Sequence, residues 1–101
     1  MTDAKPTVTV AKDLADLIPV FFRNRQKEVE TLRSSLAGND FEQLRHLGHR
    51  MKGVGNSYGF ELISILGKQI EDSAKLRDLT AIGAHIEEYS DYLATVKIVY
   101  E

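Results

Sequence analysis

The chain has 101 residues, 43% hydrophobic and 28% charged, with a formal net charge of −2 and no cysteine. This is enough for one domain with a single modest core, and it leaves no disulfide framework and no thiolate metal site. The acidic balance argues against a general nucleic-acid binder, whose affinity comes from neutralising phosphates, and no apolar run approaches the roughly 20 residues that cross a membrane.

Residues 1–10 read as an extended or disordered lead. The start Met1-Thr2-Asp3-Ala4-Lys5-Pro6 has no apolar region of a secretory signal, and the alternation Thr7-Val8-Thr9-Val10 is too short to specify a strand. A first short helix is expected from about Ala11 to Ile18, with Leu14, Leu17 and Ile18 inward. Pro19 suits the first turn of a new helix, where its missing N–H is not needed. That helix is expected to reach Ala37, burying Phe22, Val29, Leu32 and Leu36, with Phe21 at the edge of the stripe. Gly38-Asn39 is a stop signal, and Asp40 is a good N-cap for the next helix.

That next helix, Phe41 to Tyr58, holds the most informative stretch. Leu44, Leu47, Met51, Val54 and Tyr58 recur at spacings of three and four, the period of one buried face. At about 100° per residue His49 falls nearly opposite that face, in company with Arg45, Lys52, Gly53 and Asn56. Imidazole titrates near pH 6.5, so a solvent-facing histidine can serve as a neutral nucleophile. Lys52, one turn on, can place an ammonium beside an anion held on the ring. Gly53 leaves room for a bulky group or a partner surface. Glycine inside a helix costs about 0.5–1 kcal/mol relative to alanine, yet Gly48, Gly53 and Gly55 fall within eight residues. Close helix packing accounts for Gly48 and Gly55, which point toward the core, but not for Gly53, which points away.

Gly59 allows the turn. A fourth helix, Phe60 to Lys75, is expected to bury Leu62, Ile63, Leu66, Ile70 and Ser73. Asp78 caps a fifth, Leu79 to Val99, with a stripe of Leu79, Ile82, Ile86, Tyr89, Leu93 and Val96. Four long amphipathic helices with short connections predict an all-α, antiparallel four-helix bundle with a short extra N-terminal helix, occupying residues 11–101. Bundles can hold metals, but neither His46 nor His49 belongs to an inward Glu-x-x-His pair and His85 lies beside its stripe, so no metal site is expected. Residues 23–53 carry seven Lys or Arg against four Asp or Glu, and residues 71–101 carry three against seven. The basic half surrounds His49 and would steer an acidic partner there.

His49-Arg50-Met51-Lys52-Gly53 followed by Gly59 resembles the signature of histidine-containing phosphotransfer (HPt) domains: histidine, apolar at +2, lysine at +3, glycine at +4, glycine at +10. The run Lys52 to Phe60 is also similar to the phosphohistidine domain of chemotaxis kinases. The resemblance implies the same helical bundle, with His49 as phosphoacceptor and Lys52, helped by Arg45 or Arg50, stabilising the phosphoryl oxygens. Gly53 is the position of close approach. In the chemotaxis relatives a glutamate 22 residues after the histidine hydrogen-bonds its ring, which points to Glu71, although the helical wheel places Glu71 on the outer, solvated side. His46 is the rival acceptor, but it lacks the lysine and glycines at the matching places.

The resemblance further implies partners that are response-regulator receiver domains or a hybrid histidine kinase. Any Mg²⁺ is expected on the receiver rather than on this chain, which carries no cofactor and no nucleotide-binding motif, hence no kinase activity. The expected protein is a cytoplasmic monomer, in keeping with the lack of cysteine, that binds neither membrane nor nucleic acid. Its start at Met1 favours a complete small protein over a domain clipped from a hybrid kinase. The competing reading is a non-catalytic helical adaptor that binds a signalling partner with His49 never modified.

Overall fold

The computed structural model of the chain describes residues 6–101; residues 1–5 of the expected lead lie outside them. The element order is β1 (Thr7–Val10), a 3-10 helix (Lys12–Leu17), α1 (Ile18–Ala37), α2 (Phe41–Tyr58), α3 (Glu61–Lys75), α4 (Leu79–Thr95) and β2 (Lys97–Tyr100). The chain is thus mostly helical, with four long helices over one core. No helix among the described residues is long and apolar enough to cross a membrane.

The helix boundaries follow local chemistry. Pro19 stands in the first turn of α1. Asp40 and Asp78 each cap a helix through Oδ1, which accepts the backbone N–H of Gln43 and of Ala81 at 3.1 Å, covering donors that a helix start leaves unpaired. At the end of α2 Gly59 takes φ 81°, and the N–H of Phe60 closes back on the Gly55 carbonyl at 2.8 Å. Asn39 and Arg77 also adopt positive φ, just past the ends of α1 and α3. Arg77 then lies 4.6 Å over the ring of Phe41, joining the start of α2 to the turn before α4.

Several expectations need correction. The first short helix is a single 3-10 segment that runs directly into α1, and Leu17, expected inward, is exposed. Phe21 is buried and Phe22 half-buried, the reverse of the expectation. The reason is an aromatic cluster: the Phe21 ring stacks on Phe60 at 5.1 Å and lies 4.4 Å from Tyr58, while Phe22 meets Phe60 edge-on. Leu79, counted in the last stripe, is exposed at the helix start.

The last helix ends at Thr95, not Val99. From Val96 the backbone is extended (φ −63°, ψ 135°), and the β-branched run Val96, Ile98, Val99 fits a strand. β2 pairs with β1 in parallel, Thr7 opposite Lys97 and Val10 opposite Tyr100. The N–H of Lys97 donates to the Pro6 carbonyl at 2.8 Å and that of Glu101 to the Val10 carbonyl at 3.0 Å. The fold is therefore all-α except for this two-stranded sheet, and the Thr7–Val10 segment of the expected lead is extended but paired, with Val10 buried.

α2 and α3 approach unusually closely. A Cβ added to Gly48 would sit 2.6 Å from the Gly67 carbonyl oxygen and 2.7 Å from the Glu71 nitrogen; one added to Gly67 would meet the Gly48 carbonyl oxygen at 2.6 Å. A Cβ on Gly55 would collide with Ser64. On the far side of the core, Tyr89 donates to Oε1 of the buried Glu28 at 2.8 Å, tying α4 to α1. Arg25 Nε lies 3.4 Å from the same carboxylate. Burial pushes the Glu28 carboxyl above the usual range, against the pull of Arg25 and Tyr89.

Glycine-to-alanine changes on one helix should therefore diverge. Gly48→Ala forces a methyl into backbone and should lower stability by about 1–3 kcal/mol. Gly53→Ala meets nothing within 4 Å and should raise it by about 0.5–1 kcal/mol through helix propensity. Urea unfolding of both variants beside wild type checks the two signs.

Candidate functional site

His49 follows Gly48 directly, so the close crossing that needs a glycine also fixes where the histidine begins. Its side chain is 64% exposed, while Glu71, one turn after Gly67 on α3, has a side chain only 9% exposed. The crossing brings Glu71 Oε2 to 3.0 Å from His49 Nδ1. Its other oxygen, Oε1, accepts from Lys52 Nζ at 3.3 Å. One shielded carboxylate thus bridges two partly exposed basic groups, one turn apart on the neighbouring helix.

Burial pushes the Glu71 carboxyl up, but the hydrogen bonds from His49 and Lys52, together with their charges, outweigh it and hold the carboxyl below the usual range. A charged carboxylate at Nδ1 favours the tautomer with its proton on that nitrogen. The lone pair then lies on Nε2, away from α3.

The structure therefore gathers three of the residues named from sequence, His49, Lys52 and Glu71, and leaves Gly53 open beside them. Placing Glu71 on the solvated side of α3 was the error of the helical wheel. The buried residues of α3 are Ile63, Ser64, Leu66, Gly67, Ile70, Glu71 and Ala74, with Leu62 and Ser73 half-buried. The face that meets α2 is made of small residues, which an apolar stripe does not register.

Two expected helpers point elsewhere. Arg45 donates to Glu42 at 3.0 Å. Arg50 lines a groove between α1 and α2 with Arg25, Lys27 and Glu28. His46 lies 3.4 Å from Glu42 and is exposed. Among the described residues no group of three or more His, Asp or Glu is placed to hold a metal ion.

Ser64 and Gly67 are site-building residues that sequence reasoning missed. Ser64 Oγ donates to the Lys52 carbonyl at 2.7 Å, pinning the turn from which Lys52 extends. The signal was present: two glycines facing inward on α2 permit a close crossing where the facing helix is also small, and the next helix offers Ser64 and Gly67 three residues apart.

A family model described as the Hpt domain matches residues 16–97. No curated protein and no solved structure matches the chain.

The two buried carboxylates should give opposite pH signatures. Glu71 is held below its unfolded value, so its stabilisation is present above the unfolded carboxylate range and lost as pH falls through its folded value. Glu28 is raised, so its contribution is complete at low pH and lost as pH rises through its folded value. In urea melts from about pH 3 to pH 7, Glu71→Gln should lose stability relative to wild type only toward neutral pH. Glu28→Gln should gain on wild type over the same rise.

Proposed function

The chain belongs to the Hpt domain family, and on that premise we propose that it is a phosphoryl carrier of a two-component phosphorelay. His49 accepts the group from the aspartyl phosphate of a receiver domain, or from a hybrid histidine kinase, and passes it to another receiver. Hpt domains are phosphocarrier modules and not kinases. We read the module as a cytoplasmic monomer built on an antiparallel bundle.

The observation that carries the reading is the placement of Glu71 on Nδ1 of a solvent-facing histidine. It supports attack by Nε2. In that step the Nε2 lone pair forms a bond to phosphorus, and the P–O bond to the donor aspartate breaks with its electron pair left on the carboxylate. The proton on Nδ1 stays, the ring becomes a cationic phosphoimidazolium, and the Glu71 carboxylate stands against that charge. Transfer onward breaks the N–P bond and restores the neutral ring.

Lys52 is the cation assigned to the phosphoryl oxygens. Arg45 could help only by leaving Glu42, and Arg50 lies over the α1–α2 groove, so neither is given a direct part. Gly53 provides the clearance through which a receiver's active site approaches. Mg²⁺ is expected on the receiver, and no step is assigned to a cofactor of this chain.

The test is transfer from radiolabelled phospho-receivers to wild type and to His49→Gln. Label should appear on wild type, be absent from the variant, and be lost in acid but kept in base. A folded wild type that binds a receiver yet takes no label would overturn the proposal in favour of a non-catalytic adaptor.

A further inference from the structure

Lys52 holds a partner that its assigned role requires it to leave. Its Nζ lies on Glu71 Oε1 at 3.3 Å, from a side chain that is 40% exposed. Nδ1 of His49 occupies the other oxygen of the same carboxylate, so Nε2 and anything bonded to it project away from Glu71. A cation resting on Glu71 is not resting on a phosphoryl group at Nε2.

We propose that Lys52 exchanges partners when His49 is phosphorylated, resting on Glu71 in the free protein and moving to the phosphoryl oxygens in the phosphorylated one, with Glu71 as the competing anchor. This rests on the phosphotransfer reading and concerns the regulation of that same site.

Four observations carry it. Lys52 is the exposed member of its pair, 40% open against 9% for Glu71, so its ammonium can leave the carboxylate while His49 still holds it. A phosphoryl group brings more negative charge than a carboxylate, with three strong acceptor oxygens, and so competes well for the ammonium. Other basic groups on the same two helices have partners of their own: Arg45 and His46 lie on Glu42, and Lys68 on Asp72 at 3.1 Å. Finally, the helix need not move, because Ser64 pins the Lys52 carbonyl while the space over Gly53 is open. The exchange is confined to one flexible side chain.

Glu71 does not lose its own function in the exchange. It keeps Nδ1, which now belongs to a cationic ring, so the carboxylate released by Lys52 becomes the counter-charge of the imidazolium. The site passes from a carboxylate shared between two groups to two separate pairs, ammonium with phosphoryl and carboxylate with ring.

The test uses the full chain phosphorylated on His49 with phosphoramidate, a small-molecule donor that needs no receiver. Carboxyl ¹³C shifts follow the titration of Glu71, and ³¹P shifts follow that of the phosphoryl group, in wild type and in Lys52→Gln. With exchange, Lys52→Gln raises the Glu71 midpoint clearly in the free protein and little in the phosphorylated one. It also raises the phosphoryl midpoint, by about half a unit or more. Equal displacement of Glu71 in both states, with the phosphoryl unmoved, would place Lys52 permanently on Glu71 and overturn the proposal. That result would leave the receiver-transfer experiment untouched. Where phosphoramidate leaves His49 unmodified, a phospho-receiver serves as donor, and failure of both donors would sink the phosphotransfer reading and the exchange together.

Discussion

The backbone contact between Gly48 and Gly67 is the constraint on which the rest depends. Neither glycine has room for a side chain: a single added methyl on either would stand 2.6 Å from the opposite carbonyl oxygen. That approach carries Glu71, one turn beyond Gly67, within hydrogen-bond reach of the residue after Gly48. The carboxylate is shielded because two helices close over it, and it stays ionised because the same closure supplies Lys52 and His49 as partners. The glycines that weaken α2 as an isolated helix are what allow it to form a site with its neighbour.

The charge bias along the chain reads differently once the fold is seen. The basic surplus of residues 23–53 does not converge on His49. Arg25, Lys27 and Arg50 lie along the α1–α2 groove above the buried Glu28, and Arg45 is committed to Glu42. Around the histidine the balance is one lysine against one carboxylate. The surplus of positive charge and the His49–Glu71–Lys52 cluster are therefore separate features of the surface.

Much of this was legible in advance. The period of three and four along Leu44, Leu47, Met51, Val54 and Tyr58 placed α2 with its bounds and put His49 outward, because apolar burial dominates helix orientation. Asp40, Asp78 and Gly59 marked helix ends through local chemistry that needs no tertiary partner. What failed depended on a neighbour. Phe21 is buried by rings from two other segments, and Glu71 by a helix that docks through glycine and serine. Val96 to Val99 leave the helix because a strand more than eighty residues earlier offers them hydrogen bonds. The resemblance located Glu71 where periodicity did not, since motif spacing encodes an inter-helix contact that a single-helix projection discards.

The parallel strands have a consequence for how the molecule assembles. Closing β1 on β2 joins residues such as Thr7 and Lys97 from opposite ends of the described chain, whereas His49 and Glu71 are separated by 22 residues. Loop-closure entropy grows with separation, and near contacts form before far ones. His49 and Glu71 thus belong to one helical hairpin, α2 and α3, whose closure is local, whereas the sheet ties together the two ends of the described chain. The contact between His49 and Glu71 therefore asks far less loop closure of the chain than does the meeting of its ends.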